Sequence, residues 1–406
     1  MSNKDFKENI ITIKDIDDIS EFNSNFYSKE VTKYEFINCT FKKEFIFEYN
    51  QNIKTEFIFR KCTFEKEFEF NILNINADIV LDKTIHYNRI IFKGNFNNKI
   101  YINNIVMNNI SNIEFLSHPD KVNTYEDIRL LNSTIRELSF NGININNLNI
   151  CDMKNINELN ICGVIIDSKL EVFNIDLIEN LKLFNINFSE GSKILFENLI
   201  ISYLDLENLT QDVKHMLFHN IEITQELILN KVGFNNTYFN DFDISKAVKK
   251  IEKTSFINSS LNSIYWGNIF KIEARQDIFR QLKFVYDSQG NHIEANNFYI
   301  MEMSKYQNNI SSKNISEKVI FLFNNFVSGF GKSWIKPFAI YILLGFFFTL
   351  SIYNSDDEFF KLLVNSYNPI DKNIIENYSI YGLLYKIFSG LILYHLIIAF
   401  RRQTKR

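Results

Sequence analysis

Histidine pairs, cysteines and cations inside apolar stretches are the residues with which this chain could do chemistry. His215 and His219, in HMLFH, have the i, i+4 separation that sets two imidazoles on one face of a helix. A zinc site would need that helix and a third ligand. The pair sits where no helix is expected, and no acid follows in the zincin pattern, so surface or corner positions are expected for both. The four cysteines, Cys39, Cys62, Cys151 and Cys162, contain no CxxC pair and are read as small, reduced core residues rather than disulfides or metal ligands. Arg275, Arg280, Asp287 and Glu294 are placed to form a charged cluster, for which ion pairing is a sufficient explanation. No glycine loop that cradles phosphate and no G-x-S-x-G occurs. The expectation is a protein that is not an enzyme and carries no cofactor and no metal. What remains are Lys386 and His395, two polar groups within a long apolar run.

The elements around these residues are announced by repetition. CTFKKEFIF at Cys39 to Phe47 returns as CTFEKEFEF at Cys62 to Phe70, 23 residues later. Tyr34, Phe36, Cys39, Phe41, Phe45 and Phe47 have the same spacing as Phe57, Phe59, Cys62, Phe64, Phe68 and Phe70. Steps alternating between two and three fit neither a helix nor a simple strand. They fit a coil that turns a corner about every five residues, with two side chains inward on each side, so that one turn takes roughly 22 residues. The rhythm continues through Leu138, Phe140, Ile143, Ile145 and through Leu181, Leu183, Ile186, Phe188. Phe36, Cys39, Phe41, Phe59, Cys62 and Phe64 are the expected repeat core.

Cys39-Thr40-Phe41 and Cys62-Thr63-Phe64 resemble the words of pentapeptide-repeat proteins. That resemblance covers roughly Val31 to Ile269 and implies a right-handed β-helix, here in a degenerate form with Leu, Ile or Phe at many small-residue positions. The fold class is therefore mainly β: a solenoid over 31–268, a cap over 1–30, a helical hairpin over 269–310, a juxtamembrane linker or helix over 311–333, and a two-helix membrane segment over 334–406. SHPDKVNTYED, Ser117 to Asp127, is expected to leave the coil as a loop. A short helix is expected near Ile244 to Glu252. The Asn and Ile richness is expected to reflect genomic base composition more than chemistry.

EARQDIFRQLKFVYDSQGNHIEANNFYIMEMSKYQ has the period of two helices broken at Ser288-Gln289-Gly290-Asn291. Ile278, Leu282 and Val285 form one stripe, and Ala295, Phe298 and Met301 or Met303 the other. The words FRQLK, DSQGN, EANNFY and EM, with SGFGKSW and IIAFRRQTKR further on, resemble the hairpin of a subset of bacterial pentapeptide-repeat membrane proteins. In that subset the hairpin stands between the β-helix and a C-terminal pair of membrane helices.

Pro337 to Tyr353 is a run of 17 residues without a charge, near the lower limit for a span. Trp334 and Lys336 precede it as interfacial anchors, and Arg401 and Arg402 close the second run, Ser379 to Phe400. The connection between them, Asn354 to Tyr378, has two lysines and five acids. The positive-inside rule then places the N- and C-termini in the cytoplasm of a bacterial inner membrane, a reading to which MSNKDFKENI adds no signal peptide. Ser379, Gly382, Lys386, Ser389 and Gly390 share one stripe. They are read either as a pore-lining or subunit-contact face, or as small residues packed on Gly345 and Thr349 of the first span. Lys386 either snorkels or meets a pore. His395, nine residues on and so on the opposite side, is either a neutral histidine bonded to the first span or a proton-sensitive gate. EFFKLLVNSY forms either an amphipathic helix at the outer surface or a short pore helix ended by Pro369. No TVGYG-like filter is present, so any pore would not select potassium over sodium; Asp356, Asp357 and Glu358 would favour cations.

Residues 331–406 carry 9 Lys+Arg and 5 Asp+Glu of the chain's 44 and 48, so the first 330 carry 35 and 43, a net of −8. That balance argues against a nucleic-acid partner. The leading expectation is a channel-like or membrane-disrupting effector, in stress or phage defence, whose β-helix binds an unidentified cytoplasmic protein. Two helices cannot enclose a water path, so conduction requires a homo-oligomer in the lipid bilayer. The alternatives are a tethered scaffold that conducts nothing and, as some pentapeptide-repeat proteins are, an acidic DNA mimic that binds a topoisomerase.

Overall fold

The structure is a computed structural model describing residues 4–7, 9–19, 27–107, 112–117, 123–211, 215–234, 236–256, 258–311, 314–353, 358–369 and 372–404. It divides into two units, Met1–Ala274 and Arg275–Arg406.

The first unit is a β-solenoid of about 11 turns. Its strands pair in parallel with the strand one turn later, so that Phe36 lies on Phe59, Phe41 on Phe64, Phe45 on Phe68 and Phe47 on Phe70. This register follows from the spacing: identical apolar patterns placed one turn apart let every inward side chain meet its counterpart. The rings stack, with centroids 4.9 Å apart for Phe36 and Phe59, 4.5 Å for Phe41 and Phe64 and 5.0 Å for Phe45 and Phe68. These phenylalanines are sealed from solvent, and stacked pairs of this kind add roughly 0.5–1.5 kcal/mol each beyond burial. Cys39 and Cys62 are buried free thiols in the same ladder, Cys151 is buried, and Cys162 is half-buried.

Asparagine has a conformational task in this unit that base composition does not explain. Each turn needs a residue with positive φ at a corner, and most of the non-glycine residues that supply it are asparagines. Asp152, Asn174, Asn198 and Asn220 form one such column, at φ of 56°, 55°, 54° and 52°. Their side chains are chained together: Asn174 donates to Asp152 (3.0 Å), Asn198 to Asn174 (2.8 Å) and Asn220 to Asn198 (2.8 Å).

Three sequence expectations change. Thr124 to Asp127 belong to the strand Thr124–Leu131 rather than to a loop, because Tyr125 points inward and donates to the Phe92 carbonyl at 2.9 Å. Residues 118–122 of that stretch lie outside the described residues. No helix forms at Ile244 to Glu252. Val248–Glu252 is a strand parallel to Glu226–Asn230, with Lys249 and Ile251 inward. Lys249 is buried, its Nζ donates to the Ala247 carbonyl at 2.8 Å, and burial lowers its pKa. The segment interrupts the repeat in sequence, but register with the preceding turn keeps it in the stack. The solenoid also runs past Ile269: Glu273–Ala274 still pairs with Lys250 and Ile251. At the other end, Lys4–Lys7 runs antiparallel to Ile10–Lys14, which begins the parallel stack on Lys33–Ile37.

The second unit is helical: α1 Gln276–Ser288, α2 His292–Asn309, α3 Ile315–Ser328, α4 Ile335–Ile352, α5 Phe359–Tyr367 and α6 Asn373–Thr404. Helices α1 and α2 form the hairpin, reversing at Gly290 (φ +76°), with Asn291 capping α2 through the Glu294 N–H at 3.2 Å. Ile278, Leu282 and Val285 are buried on one side and Ala295, Phe298 and Met301 on the other. Among the described residues two helices are long and apolar enough to cross a membrane, α4 and residues Ile380–Thr404 of α6.

Candidate functional site in the helical unit

The residues of interest gather where α5 meets the two long helices. Phe359, at the start of α5, lies against Tyr353 beyond the end of α4 (ring centroids 5.4 Å). At the other end of α5, Tyr367 lies against Tyr341 (5.8 Å). At 1.5 Å per residue, the nine residues of α5 (~13 Å) therefore run back along about half of the 18-residue α4 (~27 Å). It packs alongside α4 rather than beyond its end.

Small and hydroxylic residues make this return possible. Gly345 faces the Tyr367 ring so closely that a Cβ there would stand 2.1 Å from Cε1. Thr349 and Ser366 share a hydrogen bond at 2.9 Å, and Tyr367 donates its hydroxyl to the Ile342 carbonyl at 2.6 Å. The close-approach surface of α4 thus receives α5, whereas one of the two sequence readings paired it with the small residues Ser379, Gly382, Ser389 and Gly390. The latter residues do other things. Gly382 meets its own helix: a Cβ would lie 2.2 Å from the Ile374 carbonyl oxygen. Eight residues along a straight helix stand ~12 Å apart, so α6 is bent between them. Ser389 is buried and donates to the Lys386 carbonyl (3.0 Å), and Gly390 faces open space. The side chain of Ser379 lies outside the described residues.

Lys386 closes the end of α5. Its ammonium donates to the carbonyls of Asn365 (3.2 Å), Ser366 (3.5 Å) and Asn368 (2.5 Å). Tyr385 donates to the Ser366 carbonyl at 2.8 Å and Tyr341 to the Tyr367 carbonyl at 2.7 Å. The last carbonyls of a helix have no partner within it and carry about half a negative charge, so a cation is stabilised there. In apolar surroundings those carbonyls would each cost several kcal/mol if left open, so this capping stabilises the packing of α5 on its neighbours. Sequence reasoning offered Lys386 water or the interface, and it missed Tyr341, Ser366, Tyr367 and Tyr385. Tyrosines in an apolar run were the available signal, since a buried hydroxyl needs an acceptor.

His395 points the other way, as 100° per residue requires, and lies against Phe323 of α3 (5.7 Å). Among the described residues it makes no hydrogen bond to α4, so packing on an aromatic ring of α3 stands where a bond to α4 was one of the two expectations. Trp334 caps α4 and touches Phe338 and Phe400, while Lys336 is exposed. Arg401 is exposed as well, but Arg402 is more than an anchor. It donates to the Phe330 carbonyl (2.5 Å), its own carbonyl accepts from Asn296 (2.8 Å), and its guanidinium lies over Tyr299 at 4.1 Å. Asp356 and Asp357 lie outside the described residues, and Glu358 precedes α5.

The other candidates disperse. His215 and His219 both lie on the strand His215–Val232, where positions four apart are ~13 Å apart. His219 contacts Asn240 at 2.8 Å and Glu197 at 4.0 Å. Among the described residues no group of three or more His, Cys, Asp or Glu side chains is placed to hold a metal ion. The four hairpin charges do not cluster: Arg275 pairs with Asp277 (3.1 Å), Arg280 with the buried Glu302 (2.7 Å) and Asp287 with His292 (3.1 Å), while Glu294 accepts from Asn297 (3.4 Å).

The chain matches no protein-family model, no curated protein and no solved structure.

Proposed function

We propose that this is a pentapeptide-repeat-type protein of a bacterial inner membrane, with both termini cytoplasmic. In this reading its β-solenoid binds a protein partner and controls a channel-like unit built from several copies of the helical segment. The observation that carries it is α5, turned back along α4 with its carbonyls gathered on Lys386. A tether needs two spans and nothing between them. Non-helical backbone at membrane depth is tolerated where protein encloses it or where it lines water, and carbonyls at such ends can hold permeating cations. An apolar face lies on α3: Ile315, Val319, Leu322 and Phe326 share a stripe and are exposed, shortly before α4. An amphipathic helix in the inner interface fits that pattern.

On the solenoid, many acids are paired with bases from neighbouring turns, such as Glu35 with Arg60, Glu69 with Lys93, Glu158 with Lys182 and Glu226 with Lys250. That pairing supports a protein partner over a DNA mimic. A second reading, the non-conducting scaffold, is favoured by the Lys386 ammonium itself, which already fills the carbonyl cluster in one copy.

The test is ion flux through liposomes holding the full-length protein, beside Lys386→Met and empty vesicles. Flux that changes in the variant supports the pore. Absence of flux from both, with a cytoplasmic partner still captured by crosslinking, favours the scaffold. If the protein is an effector, overexpression slows growth and removal of residues 334–406 abolishes the effect; toxicity that survives the truncation would assign it to the solenoid.

A further inference from the structure

We propose that the cleft between the αα-hairpin and the C-terminal end of α6 binds a phosphate group, and that its source is the headgroup of an anionic lipid. The lipid source rests on the membrane reading above; the phosphate chemistry does not. The cleft encloses about 350 Å³ and is lined by Lys283, Asp287 and His292 from the hairpin and by Arg401 and Arg402 from α6, with Tyr299 between them.

The cations are arranged rather than scattered. Both Lys283 (5.2 Å) and Arg402 (4.1 Å) lie over the Tyr299 ring, which brings two positive charges to one aromatic side chain. Arg402 is held in place from both sides, by the Phe330 carbonyl on its guanidinium and Asn296 on its backbone. Arg401 pairs with no acid among the described residues, and the acid of the cleft, Asp287, is occupied by His292 at 3.1 Å. Three cations therefore line a cleft that holds a single carboxylate, itself bonded to His292, and an anion relieves that excess of positive charge. Ile398 completes the wall, and its neighbours Ile397 and Phe400 are exposed. That apolar border continues along α6, so a ligand with a phosphate at one end and an acyl chain at the other matches the site. Basic pockets beside membrane helices at the cytoplasmic face take lipid headgroups by this chemistry.

The experiment uses the full-length protein in neutral detergent and follows its thermal unfolding against short-chain phosphatidylglycerol, phosphatidylcholine and inorganic phosphate. Phosphatidylglycerol should stabilise it saturably. The double variant Lys283→Ala/Arg401→Ala should bind roughly 30-fold more weakly, on the scale that two cations contribute at an anionic surface. Lys283→Arg, which keeps the charge, should bind as the parent does, and this separates charge from loss of fold. Equal stabilisation by inorganic phosphate would assign the site to a soluble phosphate and overturn the lipid source. Equal responses of parent and double variant to phosphatidylglycerol, or equal responses to phosphatidylglycerol and phosphatidylcholine, would overturn the site itself. Phosphate binding that persists in a protein without ion flux would remove the channel reading alone.

Discussion

Acid should open the solenoid at His86. The imidazole is fully buried, stacked on Phe64 (centroids 4.7 Å) and edge-on to Phe68 (5.8 Å), and it shares a hydrogen bond with the Thr84 hydroxyl at 2.9 Å. Burial pushes its pKa down from 6.5 to about 3. Between those values the unfolded chain takes up a proton that the folded chain refuses. Stability from this group is thus whole above about pH 6.5 and falls as the pH drops, by about 1.4 kcal/mol per pH unit until about pH 3. From pH 7.5 to pH 5 the loss is about 2 kcal/mol. His86→Phe should remove it, because a phenyl ring continues the stack of Phe41 on Phe64 and cannot titrate. Hydrogen exchange of the neighbouring strands Phe68–Ile75 and Ile90–Asn103 in the full-length protein, corrected for intrinsic rates, is the direct assay, since a solenoid opens turn by turn. The wild type should lose protection on acidification, by roughly 30-fold at pH 5, and the variant should not. Parallel losses in both proteins would refute the assignment of the acid sensitivity to this imidazole.

Gly345→Ala should dislodge α5, because the new Cβ meets the Tyr367 ring. Cysteines placed at Thr349 and Ser366, whose hydroxyls are 2.9 Å apart, should crosslink on oxidation in the parent and much less in that variant. Asn198→Ala should cost about 1–2 kcal/mol, since alanine resists the φ of +54° and breaks both links of the asparagine column. Asn198→Gly should recover the backbone part of that loss, read as denaturation midpoints of the two variants.

The sequence was legible where the fold depends on repetition. A turn of a solenoid contacts mainly its neighbours, so the spacing of Phe36, Phe41, Phe59 and Phe64 specifies both the turn length and the contacts, and the stacked rings follow. The helical hairpin was legible for a similar reason, its stripes and its break at Gly290 being local. Local preference misled at Val248–Glu252, where an adjacent strand recruited a lysine-rich segment, and at Thr124 to Asp127. The asparagines show a third case. Their abundance was visible, but their conformational role emerges only when the corners of successive turns are superposed.

By itself the sequence determined the period, the inward-facing residues, the two apolar runs and the opposed faces of Lys386 and His395, because each depends on spacing along one element. The tertiary structure decided which partner each of those faces meets. Lys386 ends on the carbonyls of α5, Gly345 receives the Tyr367 ring and Arg402 is locked between the hairpin and Phe330. These pairings join residues far apart in the chain, and their energy comes from satisfying polar groups that only the assembled helices bring together. Neither periodicity nor composition encodes that, so the path of α5 and the basic cleft became visible only in three dimensions.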